Sequence, residues 1–153
     1  MKTDVHPFGD GVTYVAVFDT ETQSAIRRLP GSTRLEQLQF MQISCASVFC
    51  IRSDLALDPS RAEEAVETGI MRTFWRDHDG ATSVRAMLSL LDGAELIVGY
   101  NLFGFDFPVI KKYYSDESMY NAHLNKTHDI FTRCRVDVGN FSGRGQNWTN
   151  CLR

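Results

Sequence analysis

The sequence lacks any long hydrophobic run, and its N-terminus, MKTDVHPFGDGV, has no apolar centre. A membrane span needs about 18 or more apolar residues, and a secretory signal needs an apolar core, so neither is expected. None of the four cysteines forms a C-x-x-C pair, which argues against a zinc knuckle or a redox motif. We therefore expect reduced thiols in a cytoplasmic or nuclear protein that is not secreted.

The chain also lacks internal repeats, low-complexity tracts and a strong net charge. Its 153 residues carry a formal net charge of −3, with 43% hydrophobic and 23% charged residues. This composition excludes a disordered tail, a collagen-like repeat and a bulk polycation. Residues 1–110 hold 9 basic and 15 acidic side chains, whereas residues 111–153 hold 7 and 4. The basic C-terminal third either contacts a phosphate backbone or forms an ordinary solvated surface.

Hydrophobic patterning predicts an alternation of strands and helices. Apolar segments predict strands at residues 14–18, 40–51, 69–75, 95–99 and 127–132. The i, i+3, i+4, i+7 spacing of Val84, Met87, Leu88 and Leu91 predicts a buried helical face, with Thr82 or Ser83 as N-cap and Gly93 just past the end. A further helix is expected at 106–114. Residues 22–38 are expected to form a loop with a short helical turn, and residues 52–67 a loop or a surface helix.

The order of these elements predicts one α/β domain over residues 1–153. The first three strands are close in sequence and are expected to form an antiparallel meander, whereas the later strands should run parallel to the first. Ligands of open α/β sheets bind beyond the carboxyl ends of the parallel strands. The polar motifs that follow strands 14–18 and 95–99 should therefore meet at one edge of the sheet.

Two carboxylates follow the first strand, in the motif Asp19-x-Glu21. On an extended chain this spacing puts both side chains on the same face. Carboxylates this close repel unless a cation lies between them, and Mg²⁺ or Mn²⁺ suits oxygen ligands. The alternative is that both are solvated polar residues at a strand end.

A second motif, Asn101-Leu-Phe-Gly-Phe-Asp106, follows the 95–99 strand and opens a helix. Asp106 either caps that helix or completes a three-carboxylate metal site with Asp19 and Glu21. Carboxylates that share one or two cations must lie within about 6 Å of one another. Phe103 and Phe105 are either core residues or surfaces on which bases stack.

Together, VAVFDTET and IVGYNLFGFDFPVIKKY resemble the first two motifs of the DEDD-type 3′–5′ exonucleases, which have a ribonuclease H-like fold. The second segment is most similar to the proofreading exonuclease domain of family B DNA polymerases and its stand-alone relatives. The residues that carry this second similarity are Gly99, Tyr100, Asn101, Phe105, Asp106 and Pro108. The resemblance covers residues 14 to about 132.

The resemblance implies hydrolysis of phosphodiester bonds at single-stranded DNA or RNA 3′ ends by two Mg²⁺ or Mn²⁺ ions. It implies that Asp19 bridges both ions, that Glu21 holds one ion and the terminal 3′-hydroxyl, and that Asp106 binds the other ion. It further implies that nucleic acid contacts Thr20, Tyr100, Asn101 and Phe105. Asp129 is a secondary candidate, at a position where the family often has an aspartate outside the main ligand set. The chain would work alone or within a polymerase or helicase assembly.

The sequence departs from the family in its last part. The fourth carboxylate belongs to a later helix, in a Tyr-x-x-x-Asp or His-x-x-x-x-Asp pattern, and residues 130–153 contain neither. The chain is therefore either a C-terminally incomplete fragment or a naturally short member, and impaired activity is expected. The alternatives are an inactive nucleic-acid-binding or protein-interaction module that keeps the nuclease fold, and an unrelated α/β domain in which both motifs are structural.

Overall fold

The computed structural model describes residues 6–23, 25 and 28–137, and in them an α/β fold with one open, mixed, five-stranded sheet. The strands are β1 Tyr14–Thr22, β2 Ile43–Arg52, β3 Ile70–Trp75, β4 Leu96–Gly99 and β5 Thr127–Asp129. The seven α-helices of this part of the chain are α1 Arg34–Phe40, α2 Ser53–Ala56, α3 Ala62–Glu67, α4 Val84–Gly93, α5 Asp106–Ile110, α6 Glu117–Asn125 and α7 Ile130–Asp137.

The strands are arranged in the order β3-β2-β1-β4-β5. β1 pairs antiparallel with β2, and β2 pairs antiparallel with β3, which confirms the predicted meander. β4 runs parallel to β1, and β5 runs parallel to β4. The carboxyl ends of β1, β4 and β5 therefore lie at the same edge of the sheet, as the sequence predicts.

The core lies between one face of the sheet and the helices. Alternate residues of β1 are buried on this face, and Met87 and Leu91 of α4 belong to the same cluster of buried side chains. The predicted apolar face of α4 is confirmed, because Val84, Met87, Leu88 and Leu91 are all buried. Ser83 is the N-cap, and its hydroxyl accepts the N–H of Ala86. Gly93 is the last helical residue rather than the one after it.

A buried hydrogen bond ties the central strand to the end of α4. The hydroxyl of Tyr14 donates to the carbonyl oxygen of Leu90 at 2.6 Å. This carbonyl lies in the last turn of α4, where backbone acceptors lose their helical partners. Burial raises the pKa of Tyr14 above its usual range, so the hydroxyl remains a donor.

Within the described residues, no helix has both the length and the apolar character needed to cross a membrane.

Some elements differ from their predicted boundaries for identifiable reasons. α1 occupies the second half of a predicted loop because Thr33 and Glu36 form a capping box that starts the helix. α6 was not predicted at all, and it begins where Asp116 accepts the N–H of Met119. β5 ends at Asp129 instead of continuing to residue 132, because the Asp129 carboxylate accepts the N–H of Phe131 and so caps α7.

The remaining predictions concern residues 52–67, the helix expected at 106–114 and the cysteines. Residues 52–67 contain two short helices, α2 and α3, and the predicted 106–114 helix is α5 followed by a 3₁₀ turn, Lys111–Tyr113. Cys45 and Cys50 point to opposite faces of β2, and both are free thiols, as is Cys134. Cys151 and most of the segment searched for a fourth carboxylate lie outside the described residues.

Candidate functional site

The first motif lies within β1 rather than after it. Asp19 and Glu21 are exposed on one face of the strand, whereas Thr20 points to the opposite, buried face. The strand extends this far because β2 continues to pair with it, with Asp19 opposite Ser47 and Glu21 opposite Cys45. The predicted common face of the two carboxylates is therefore present on a rigid strand.

The second motif reaches the first because β4 is shorter than β1. The pairing of β4 with β1 ends at Val17 and Val98, and β4 itself ends at Gly99. A Cβ on Gly99 would approach the carbonyl oxygen of Phe18 to 2.7 Å, so glycine is required for this close contact. Beyond it, the edge of β1 is open to groups other than a strand.

Asp106 occupies this open edge. Its Oδ1 accepts two hydrogen bonds from Thr20, one from the backbone N–H at 3.0 Å and one from the hydroxyl at 2.6 Å. Asp106 is only 2% exposed. The two motifs, separated by more than 80 residues, are therefore joined directly at the residue that lies between Asp19 and Glu21.

Asp106 does not cap its own helix. The N-cap of α5 is Phe105, which makes no side-chain capping hydrogen bond. Burial, together with the negative charge of Asp19, raises the pKa of Asp106 to about 6 against the opposing effect of the hydrogen bonds from Thr20. This carboxylate thus lies in the electrostatic field of Asp19, although Thr20, which bonds it, points to the opposite face of β1 from Asp19.

The loop of residues 100–105 joins β4 to α5. Asn101 has a left-handed backbone conformation with φ of 59°, and its carbonyl oxygen accepts the N–H of Gly104. A side chain on residue 104 would approach Oδ1 of Asn101 closely, so the Asn101 side chain would have to shift to admit it. Leu102 is fully buried and anchors the middle of the loop in the core.

Asp129, the secondary candidate, contacts this loop rather than the first motif. Its Oδ1 accepts the N–H of Asn101 at 2.8 Å, and its Oδ2 accepts the N–H of Phe103 at 2.9 Å. The side chain is buried, with 4% of its surface exposed. Asn101 and Asp129, both predicted site residues, are thus brought together.

The aromatic candidates divide into exposed and packed residues. Tyr100 is 48% exposed and makes an edge contact with Phe131, and Phe103 is 40% exposed and stacks on Phe107. Phe105 packs against the core. Thr20, predicted to contact nucleic acid, is buried, and its hydroxyl is used by Asp106. Tyr100 and Phe103 are therefore the aromatic surfaces that a ligand can reach.

A cavity that the sequence does not reveal opens beside Phe103. It has a volume of about 240 Å³ and is lined by Phe103, Thr127, His128, Asp129, Thr132 and Arg133. His128 is level with Val98 and Val17 across the sheet, so it lies on the same face as Asp19. Apart from Phe103, which belongs to the 100–105 loop, the lining residues come from β5 and α7, and the parallel pairing of β5 with β4 brings them to this edge.

The carboxylates are not gathered into one cluster. Within the part of the chain that the structure describes, no group of three or more His, Cys, Asp or Glu side chains is arranged to hold a metal ion. Magnesium is commonly bound by one or two protein carboxylates together with substrate phosphates and water. Asp19 and Glu21 meet this smaller requirement, because both supply carboxylate oxygens and both side chains are exposed on the same face of β1.

Comparison with known proteins does not assign this chain to a family. No protein-family model matches the chain, and no curated protein matches it.

Proposed function

We propose that this chain is a metal-dependent 3′–5′ exonuclease-type domain that acts on single-stranded DNA or RNA ends. The observation that carries the proposal is the pair of hydrogen bonds from Thr20 to Asp106. They join a D-x-E strand and an N-x-x-x-F-D loop, the two motifs of the DEDD-type resemblance, at one edge of a sheet.

The sheet supports the same proposal. An antiparallel meander followed by two parallel strands is the arrangement expected of a ribonuclease H-like fold. In open α/β sheets the ligand crevice lies beyond the carboxyl ends of parallel strands. Asp19, Glu21, the 100–105 loop and the cavity beside β5 all lie at this end. The proposed substrate would therefore cross the carboxyl ends of β1, β4 and β5.

Asp19 and Glu21 would hold Mg²⁺ or Mn²⁺ together with a substrate phosphate, and Asp106 would supply a further carboxylate. When bound, such ions activate water and neutralise the charge that develops on the phosphate. The Thr20 hydrogen bonds keep Asp106 beside the strand, while its burial limits contact with bulk water. Tyr100 and Phe103 offer ring surfaces on which terminal bases stack, a contact worth about 1–3 kcal/mol for each base.

The proposed activity is weak. Family members use a fourth carboxylate, whose Tyr-x-x-x-Asp or His-x-x-x-x-Asp pattern is missing from residues 130–153. With the three acids of residues 1–153 alone, a second ion would have fewer ligands, and these residues would supply no group of that pattern to orient a water molecule. Loss of such groups costs several kcal/mol of transition-state stabilisation.

A second candidate function is binding of single-stranded nucleic acid without cleavage. The observation that favours it is the pairing of two exposed aromatic residues with a cavity that includes His128 and Arg133. Stacking surfaces beside basic groups are typical of proteins that grip single strands. This function needs the edge of the sheet but not a complete set of carboxylates.

The test uses the full chain with single-stranded DNA and RNA labelled at the 5′ end, in Mn²⁺ and in EDTA. We expect slow, Mn²⁺-dependent shortening from the 3′ end. Asp19→Ala should abolish it, because Asp19 is the proposed bridging ligand. Asp79→Ala is the matched control, since it removes an exposed acid that lies after β3.

Each result separates the candidates. Shortening that is lost in Asp19→Ala and kept in Asp79→Ala supports the exonuclease. Binding without shortening supports the binding module and overturns the nuclease proposal. Shortening that persists in Asp19→Ala would assign the cleavage to a different site or to a contaminant.

A further inference from the structure

Two backbone N–H groups of the 100–105 loop donate hydrogen bonds to the side chain of Asp129, a residue of β5. β4 ends at Gly99, so the N–H groups of Asn101 and Phe103 lie beyond the strand ladder. Asp129 accepts both of them, at 2.8 and 2.9 Å. Buried backbone N–H groups need partners, and hydrogen bonds to a charged acceptor are the stronger kind.

Asp129 also holds the start of the next helix. Its Oδ1 accepts the N–H of Phe131 at 3.0 Å, in the manner of an N-cap for α7. One carboxylate therefore joins the end of β5, the first turn of α7 and the loop that follows β4. Three N–H groups on two oxygens occupy most of the acceptor capacity of a carboxylate.

The loop fixed in this way leads directly into Asp106. Phe107 donates its N–H to the carbonyl oxygen of Leu102 at 2.9 Å, so the loop and the first turn of α5 are bonded to each other. Asp106 itself is held by Thr20 on the opposite side. The loop is thus fixed at the β5 side by Asp129 and at the β1 side by Thr20.

We propose that Asp129 is a positioning residue: it clamps the 100–105 loop and thereby places Asp106 at the edge of β1, without binding a metal itself. This inference rests on the proposed function for its consequence in metal binding. The clamp itself is a property of the fold and can be measured separately. A carboxylate committed to three N–H donors has little capacity left for a cation, whereas Asp106 uses Oδ1 alone for Thr20.

The test compares Asp129→Asn with Asp19→Asn in the full chain. Asparagine has nearly the same shape but replaces one accepting oxygen with an NH₂ group, which faces an N–H of the loop instead of accepting it. We expect amide exchange at Asn101 and Phe103 to become about tenfold faster or more, while the amides of β1 stay protected. The Mn²⁺ affinity, measured by calorimetry, should weaken about tenfold to a hundredfold without vanishing.

Asp116→Asn is the matched control. Asp116 also accepts a backbone N–H, that of Met119 at 2.8 Å, but it caps α6. Asparagine caps helices about as well as aspartate, so this variant should keep both the loop exchange rates and the Mn²⁺ affinity. Asp19→Asn should remove a ligand and leave the exchange of Asn101 and Phe103 unchanged.

The outcomes distinguish the clamp from the proposed function. Unchanged exchange and unchanged Mn²⁺ affinity in Asp129→Asn would overturn the clamp. Loss of Mn²⁺ binding with the loop amides still protected would make Asp129 a ligand and would equally overturn it. If Asp129→Asn does not fold, the wild-type exchange decides: protected Asn101 and Phe103 amides support the clamp, and random-coil rates refute it. Absence of cleavage by the wild-type chain bears on the proposed function alone.

Discussion

The hydroxyl of Thr20 donates a 2.6 Å hydrogen bond to Oδ1 of Asp106, 86 residues further along the chain. Thr20 points to the buried face of β1, and its neighbours Asp19 and Glu21 point to the exposed face. β1 therefore exposes the carboxylates of Asp19 and Glu21 on one face. On its opposite face, Thr20 bonds a third carboxylate, that of Asp106. The position of Asp106 depends on a side chain that is itself buried.

Replacing Thr20 with valine tests this support. Thr20→Val keeps the β-branched shape and the backbone N–H but removes the hydroxyl donor. We expect the free energy of unfolding to fall by about 2 kcal/mol, since hydrogen bonds to charged groups are worth about 1.5–3 kcal/mol. The pKa of Asp106 should rise further, because the Thr20 side chain lowers it. Urea denaturation and an NMR titration of the carboxyl carbon measure the two effects.

Thr22→Val is the control for that experiment. It makes the same chemical change two residues along β1, where the side chain is half-buried. This variant should keep the Thr20–Asp106 hydrogen bond and the pKa of Asp106. Equal effects of the two substitutions would show that the hydroxyl of Thr20 has no special partner.

Asp106→Asn should separate stability from metal binding. The pKa of Asp106 is raised to about 6, mainly by burial, so the ionised carboxylate at pH 7 is held at a cost on the order of 3 kcal/mol. Oδ1 of asparagine can still accept both hydrogen bonds from Thr20. The variant should therefore melt at the same temperature as wild type or higher, yet bind Mn²⁺ more weakly. A large drop in melting temperature would contradict this account.

His123 should make stability depend on pH. It is fully buried, Tyr114 bonds its Nδ1 at 2.7 Å, and Nε2 faces Asp92 at 3.4 Å. Burial lowers the pKa of His123 below its usual value, and the charge of Lys126 lowers it further, although Asp92 opposes the shift. Below about pH 6.5 the unfolded chain then binds more protons than the folded one. As the pH drops from 6.5 to 5, the free energy of unfolding of the wild type should fall relative to that of His123→Phe, by at most about 1.4 kcal/mol per pH unit. Asp106, with its pKa raised to about 6, contributes the opposite slope, but it does so in both proteins.

The matched control for this titration is His128→Gln. His128 is exposed on β5, so its loss should leave the pH dependence of unfolding in place. His123→Phe should lose the His123 contribution between pH 5 and 6.5 and keep the opposite contribution of Asp106. An NMR titration in which His123 gains its proton at or above pH 6.5 would refute the prediction.

Tyr14→Phe should weaken the fold without affecting the site. The substitution removes the donor to the Leu90 carbonyl and leaves a buried acceptor without it. A cost of about 1–3 kcal/mol is expected in urea denaturation. Tyr113→Phe removes a longer contact, 3.4 Å to Gln42, and should cost much less. Equal costs for the two variants would argue against the Tyr14 bond.

The strands of the sheet and helix α4 could be predicted because each has a strong hydrophobic pattern in the local sequence. The apolar runs that precede Asp19 and Asn101 predict β1 and β4, and both strands are confirmed. The spacing of Val84, Met87, Leu88 and Leu91 predicts α4, also confirmed together with its Ser83 cap. The strand directions follow from the lengths of the connections.

α6 could not be recognised from hydrophobic spacing. Its fully buried position is His123, and Tyr120 and Leu124 are only partly buried against the core. A helix whose inner face is polar and aromatic gives a weak periodic pattern. The usable signal was Asp116 followed by Glu117, an N-cap and an acidic first turn. The same kind of signal, Thr33-x-x-Glu36, marked the start of α1.

Within the candidate site, the sequence identified the motifs but not their connections. The D-x-E spacing predicts a shared face for Asp19 and Glu21, and it is confirmed. The partner of Asp106 depends on β4 ending one residue after its last pairing with β1, which no local pattern encodes. The bonds of Asp129 to the 100–105 loop depend equally on the register of β5 against β4.

The bonds of Asp129 to Asn101 and Phe103 span 28 and 26 residues, so during translation the loop is completed late. At about 5–20 residues per second, a ribosome needs roughly one to six seconds to make that intervening stretch. Throughout this interval the nascent chain already contains β1 to β4 but not the carboxylate that secures their connecting loop. The order of synthesis therefore builds the scaffold first and sets the position of Asp106 last.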